Sequence, residues 1–238
     1  INKRHRIKEN EKPMQLAKPA LDVGLYTNNK EPLLEFWQSQ PWVRYDELLK
    51  VGGGVHQHRH NIGDSILKIN HTQAPLGHSP SGLLQLDIFS NTITREVELN
   101  DPDGNRLVLC PQQDSNADSN LTLHIGCSDL TRSRHYYGAV LGLPEIADSR
   151  FSVGQSNIQL AAAALPAGEV EQKALGFRYM TFQVFDVVNT YTKIISQGGA
   201  SGIQPVRLGD VAYIAFVRDP DGNWIEISQR KSITGSLN

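Results

Sequence analysis

One turn occurs twice in the chain and dictates much of what it can become. Asp-Pro-Asp-Gly-Asn stands at 101–105 and again at 219–223. Pro102 and Pro220 preset φ for a tight turn, and Asp-Gly tolerates positive φ. Each copy runs into an apolar stretch, Leu107-Val108-Leu109 in the first and Trp224-Ile225 in the second, of residues that favour a pleated strand. The chain is therefore built on a duplicated unit that ends in a hairpin. The copies differ at one telling place. Glu226 interrupts the second apolar strand where Val108 continues the first.

The 238 residues suffice for one large domain or two of roughly 100–120 residues. Two halves, 19–112 and 121–232, are expected, joined by a polar linker at 113–120 that lacks apolar periodicity. Residues 1–18 read as a flexible tail. The chain begins with Ile1, Met14 is a candidate start, and residues 1–13 then form a leader. The tail is basic but has no apolar core, so it is not a secretory signal. A net charge of −2 argues against nucleic-acid binding and polybasic membrane attachment. No apolar run reaches the roughly 20 residues of a membrane span. Cys110 and Cys127 make no disulfide framework, which fits a reducing, cytoplasmic setting.

Four units follow one another. The first runs as a strand (20–27), a helix entered at Asn28-Asn29 with Leu33, Leu34, Phe36 and Trp37 on one stripe and stopped by Pro41, and three strands (42–51, 55–60, 65–70). The second has strands at 83–89 and 106–110 but no helix pattern, and is abbreviated. The third opens with the strand 121–127. Ser128-Asp129 caps a helix carried by Leu130, Tyr136, Tyr137, Val140 and Leu141 and ended by Gly142, and strands follow near 145–151 and 156–162. The fourth has a strand at 177–184 and a helix capped by Asp186. A loop or short strand lies near Val206, and strands follow at 211–217 and after the second turn.

This order, with Ser128-Asp129, Tyr136-Tyr137-Gly138, Leu141-Gly142-Leu143, Phe182, Asp186 and the turn 219–223 ahead of Glu226, resembles the vicinal oxygen chelate superfamily of glyoxalases, bleomycin resistance proteins and extradiol dioxygenases. The resemblance spans about residues 20–230. It implies an α+β fold of tandem βαβββ modules whose curled mixed sheets surround a cavity, with the second module abbreviated here. It also implies a divalent metal (Fe, Mn, Ni or Zn) held by His, Gln or Glu on first and last strands. The positions corresponding to those ligands are Asp22, Gln85, Thr122 and Tyr179 on first strands and Lys68, Val108, Gln159 and Glu226 on last strands. Only Glu226 is the expected acid, and none is His. A divalent ion with open positions would polarise a carbonyl or enediolate as a Lewis acid or, as iron, activate oxygen.

Histidines elsewhere are the available replacements. His56, His58 and His60 alternate with Gln57 and Arg59, so a strand would put all three on one face about 6–7 Å apart. His56, His58 and Glu226 are the expected metal set, with His124, two residues beyond Thr122, as an alternative. That set requires the first unit to pair with the fourth, and the sequence leaves open whether it pairs with the second instead. Glu226, His58 as a neutral base and Tyr179 as a hydrogen-bond donor are the candidate catalytic groups. Arg59, Lys68 and Gln159 are candidates for substrate binding. Equally, the histidines can line a polar face and Tyr179 can be core.

The turns are not calcium loops, since an EF-hand needs Gly at position 6 and Glu at position 12. Gly52-Gly53-Gly54 lacks the Gly-Lys-Ser/Thr of a phosphate loop. No Gly-x-Ser-x-Gly is present. The reading is a metal-dependent enzyme acting on a small oxygenated metabolite by lyase, isomerase or dioxygenase chemistry, as a monomer or homodimer. A metal-free small-molecule binding protein on the same fold is the alternative, with a metal-independent acid–base enzyme between them.

Overall fold

The computed structural model describes residues 13–112 and 121–237. The expected linker, 113–120, and most of the expected tail lie outside them. The first unit is β1 (Asp22–Thr27), α1 (Lys30–Gln38), β2 (Val43–Lys50), β3 (Val55–Ile62) and β4 (Ser65–Thr72). The second is β5 (Leu83–Ser90), β6 (Val97–Asn100) and β7 (Arg106–Pro111), with no helix among the described residues. The third is β8 (Leu121–Cys127), α2 (Leu130–His135), a π-helical turn (Tyr136–Val140), β9 (Glu145–Ala147), β10 (Arg150–Val153) and β11 (Ser156–Ala162). The fourth is β12 (Gly176–Gln183), α3 (Val187–Ser196), β13 (Ala200–Leu208), β14 (Ala212–Arg218), β15 (Trp224–Arg230) and the short α4 (Lys231–Thr234).

The units form two sheets, and the pairing crosses the chain. One sheet has the order β13-β14-β15-β12-β1-β4-β3-β2, the other β6-β7-β5-β8-β11-β10-β9. The first unit thus pairs with the fourth, through antiparallel β1 and β12, and the second with the third, through β5 and β8. One apolar core joins both sheets to the helices: Leu21, Val23 and Met180 from the first sheet, Leu86, Leu123 and Ile158 from the second, and Trp37 and Ile194 from the helices.

The duplicated turns fasten the sheets together. Asp101 Oδ1 accepts the backbone N–H groups of Asp103 and Asn105, and Asp219 Oδ1 those of Asp221 and Asn223. Gly104 and Gly222 both have φ +83°, where a side chain would strain the backbone. The second oxygen of each aspartate reaches across the core. Asp101 takes the indole N–H of Trp37 at 3.2 Å and Asp219 the hydroxyl of Tyr137 at 3.0 Å. Asn105 and Asn223 then accept Phe177 N–H and Gly82 N–H of the opposite units. Burial raises the pKa of both aspartates against these bonds.

Two local expectations change. The region near Val206 is a nine-residue edge strand. Its pattern was masked because the register shifts twice, once at Gly202 and once across Gln204-Pro205, and an edge is where a sheet tolerates proline. The helix expected through Leu141 becomes a π turn after His135. The wider turn brings Leu141 N–H onto Tyr136 O at 2.9 Å, with both tyrosines buried. Before β1, Leu16 bridges to Val184 and Ala17 N–H donates to Gln183 O. No helix among the described residues is long and apolar enough to cross a membrane.

Candidate functional site

Alternation decides which side chains line the inner face of the first sheet. Val23, Leu25, Leu67, Ile69, Met180, Ile225 and Ile227 point into the main core. Their neighbours Asp22, Gly24, Lys68, Asn70, Tyr179, Thr181 and Glu226 therefore share the opposite face. The register brings them together: Gly24 lies beside both Lys68 and Tyr179, and Thr181 lies beside both Asp22 and Glu226.

At the floor, Lys68 Nζ is 2.7 Å from Glu226 Oε2 and 2.7 Å from Thr181 Oγ1, which donates to the same carboxylate oxygen at 2.7 Å. The Lys68 side chain is 3% exposed and that of Glu226 12%, so solvent still reaches the acid. Burial lowers the Lys68 pKa, and Glu226 and Asp22 oppose that shift. Asp22 is committed: its carboxylate accepts Ile66 N–H at 2.8 Å and the Gln183 amide at 3.3 Å, and pairs with Lys18.

One wall is aromatic. Tyr26, Tyr179, Phe216 and Trp224 pack in a chain with ring centroids 6.0–6.4 Å apart, covered by Val170 and Leu76. The Tyr179 hydroxyl accepts Asn70 Nδ2 at 3.1 Å and Gln57 Nε2 at 3.3 Å. Burial, with Glu226 adding, drives the Tyr179 hydroxyl well above its ordinary pKa and pushes that of Tyr26 up to about 12. The ring of Tyr179 can lie over β1 only because residue 24 is glycine. A Cβ there would sit 2.1–2.6 Å from three ring carbons. Gly24→Ala is expected to cost about 3 kcal/mol or more, since overpacking of 1–3 kcal/mol is compounded by displaced hydrogen bonds. Urea denaturation checks this, and a loss under 1 kcal/mol would contradict the packing described.

The other wall is charged. Arg59 lies beside Lys68 on β3, its Nε 3.3 Å from Glu47 and 3.6 Å from Asp46, and its Nη1 donates to Gln57 Oε1 at 3.2 Å. Glu47 also meets Arg230 of β15 at 3.2 Å. That pair shows how far the sheet curls, because β2 is its edge and β15 lies five strands away.

The structure does not bring His56 and His58 to Glu226. Gln57 and Arg59 take the inner face, so His56, His58 and His60 point outward, towards α1. His60 is fully buried, its Nε2 3.1 Å from Gln38 Nε2 and its ring edge-on to Tyr45. His56 pairs across the strands with His71. Burial, then His71, Lys30 and His56, lowers the His58 pKa. Equal spacing put the three histidines on one face, as expected, but spacing does not say which face is the hollow one. His124 and Gln159 belong to the second sheet. Gln159 is turned onto the backbone carbonyls of Asp148, Ser149 and Leu160. Sequence reasoning passed over Thr181, Gln57, Asn70 and Arg230. Thr181 was accessible as the same-face neighbour of Tyr179, and Gln57 and Arg59 as the residues between the histidines.

These residues do not fit a divalent metal. Among the described residues Glu226 is the carboxylate at the floor with an oxygen left to coordinate, and an ammonium sits against it. No group of three His, Cys, Asp or Glu among the described residues is placed to hold an ion. A second cation beside Lys68 would be repelled in a site of low effective dielectric.

Two curled mixed sheets with a polar floor at the join of two βαβββ units define a protein of the glyoxalase fold. Residues 121–227 match the Glyoxalase/Bleomycin resistance protein/Dioxygenase superfamily. Among solved structures, glyoxalase I from Zea mays is similar over 94% of this chain and 96% of its own, with TM-score 0.72 and 13% identity. A Bacillus subtilis subsp. subtilis str. 168 protein with a provisional dioxygenase assignment is similar over 96% and 92%, with TM-score 0.68 and 14% identity. The cppA protein of Streptococcus pneumoniae TIGR4 is similar over 90% and 99%, with TM-score 0.55 and 10% identity. At these identities the likeness is one of fold. No curated protein matches the sequence.

Proposed function

We propose that this chain is a metal-free small-molecule binding protein on the glyoxalase scaffold, with Lys68 as a built-in cation. The observation that carries this is the contact of Lys68 Nζ with Glu226 and Thr181 at one of the family's ligand positions. Lys68 and Arg59 offer positive charge to an oxyanion, Glu226 accepts from a hydroxyl, and the aromatic wall excludes water. A small hydroxy or keto acid meets all three. The protein acts in the cytoplasm as a monomer or homodimer.

A metal-independent acid–base enzyme is the second reading. It is favoured by Glu226 Oε1, which has no bonded partner among the described residues while Oε2 holds two. A carboxylate anchored by one oxygen and open at the other can take a proton from a bound ligand.

The test uses untagged protein dialysed against Mn, Fe, Ni or Zn, followed by elemental analysis and thermal unfolding with and without chelator. Substoichiometric metal and an unchanged midpoint are expected. A panel of small hydroxy and keto acids should then include some that raise the midpoint, an effect lost in Lys68→Met. One metal ion retained per chain would overturn the reading.

A further inference from the structure

The mouth of the first sheet's hollow already holds a carboxylate, one of the protein's own. β2 and β3 fall out of step between Tyr45 and Leu48: Tyr45 stands opposite His60, and Leu48 opposite His58. Asp46 and Glu47 therefore share a single partner, Arg59, in a β-bulge. Bulges re-aim side chains and gather at sheet edges and beside sites. Here the bulge turns both acids on one guanidinium, with Glu47 Oε1 3.3 Å and Asp46 Oδ2 3.6 Å from Arg59 Nε. The same Glu47 oxygen accepts from Arg230 Nη2 at 3.2 Å. Arg230 follows Glu226 and Ser228 on the inner face of β15. Glu47 thus joins two arginines from opposite sides of the hollow. None of the three stands at a position corresponding to the family's metal ligands.

This contact satisfies charge but not hydrogen bonding. Arg59 Nε is buried and makes no hydrogen bond among the described residues, and a buried donor without an acceptor is costly. Arg59 itself is 6% exposed. Glu47, by contrast, has a side chain 40% exposed and sits on an edge strand none of whose residues is buried. Such a strand yields locally at small cost. The arginine is held and its acid is loose. A carboxylate free of the bulge would approach Nε at a better angle than one tethered to it. Arg59 also stands level with Lys68 on the next strand, and its charge adds to burial in lowering the Lys68 pKa. Adjacent strands are about 4.8 Å apart, which suits a ligand whose two carboxylates are separated by two or three carbons.

We infer, on the reading of the hollow as a small-acid site, that Arg59 and Arg230 form a carboxylate subsite and that Glu47 is the placeholder a ligand displaces. The ligand class narrows to four- or five-carbon dicarboxylates bearing a hydroxyl or keto group. One carboxylate takes the place of Glu47 between the arginines, and the other end of the molecule meets Lys68 and Glu226. One carboxylate replaces another, so the charge around the arginines is unchanged.

The probes are 2-hydroxyglutarate and 2-hydroxypentanoate, which differ in the terminal carboxylate alone. Each is titrated calorimetrically into chelator-treated wild type, Glu47→Gln and Arg230→Gln. Wild type is expected to bind the diacid at least about tenfold more tightly, the worth of one charge-assisted hydrogen bond. Glu47→Gln removes the competing anion and should raise that preference several-fold. Arg230→Gln should erase most of it. A Glu47 that merely fastened the sheet would, on removal, favour neither acid over the other. Equal binding of the two acids, or a preference unmoved in folded Glu47→Gln or Arg230→Gln, would overturn the subsite while the small-acid reading stands. Binding of neither acid to any of the three proteins would overturn both.

Discussion

Lys68→Met is expected to destabilise the protein by about 3 kcal/mol, near the lower end of what breaking a buried ion pair costs. The methionine fills much of the lysine's volume, so the loss is electrostatic. Glu226, with a 12% exposed side chain, is left beside an aromatic wall with Thr181 as its remaining recorded partner. The double variant Lys68→Met/Glu226→Leu removes both charges and should regain most of the loss, because a buried pair adds little net stability over an apolar replacement. Urea unfolding of the wild type, both single variants and the double variant gives the coupling directly. A Lys68→Met variant within 1 kcal/mol of wild type would mean that the floor is wetter than its geometry indicates.

His60 sets the second large effect, on acid stability. Burial pushes its pKa down to about 4, with the charge of His58 adding and a hydrogen bond to the His58 backbone and the Asp46 carboxylate opposing. In the unfolded chain the group titrates near 6.5. Above that pH His60 is neutral in both states and its contribution to stability is complete. As the pH falls towards about 4 the unfolded state gains a proton that the native state refuses. Stability is lost through that window, by about 3 kcal/mol at its lower end. His58 and His71, also shifted downward, act in the same direction. Gln38, Tyr45 and Asp46 face His60 from α1 and β2, and none is a carboxylate bonded to it. His60→Gln should therefore flatten the wild-type decline between pH 6.5 and 4. Midpoints of urea unfolding across that range check it, and parallel curves for the two proteins would refute it.

What the sequence made legible were features with a local physical cause. The two Asp-Pro-Asp-Gly-Asn turns, the strand ahead of Ser128-Asp129 and the helix capped by Asp186 all follow from turn chemistry, alternation and capping. So does the missing helix of the second unit, where no apolar period of 3.6 exists to form one. The site was legible only in part. Glu226 stood out because a carboxylate in an apolar strand needs a partner, but the partner, Lys68, is 158 residues away. No local pattern says which unit pairs with which. The histidine strand misled for a related reason. Alternation says which side chains travel together, whereas the side they take depends on where α1 packs. The π turn at Tyr136 was hidden because π and α helices share their residue preferences and differ only in hydrogen-bond reach.

The crossed pairing of units also governs when the protein can become itself. Strands of the second sheet come from one continuous stretch, residues 83–162, and can meet soon after they are made. The first sheet must wait for β15. At ribosomal speeds of about 5–20 residues per second, the 158 residues between Lys68 and Glu226 take roughly 8–30 s to synthesise. During that interval Lys68 is a charge without its acid, and β1 is an open edge until β12 is made. The newborn chain is then most exposed to mispairing with its neighbours, and the floor of the site is among the last parts of the molecule to exist.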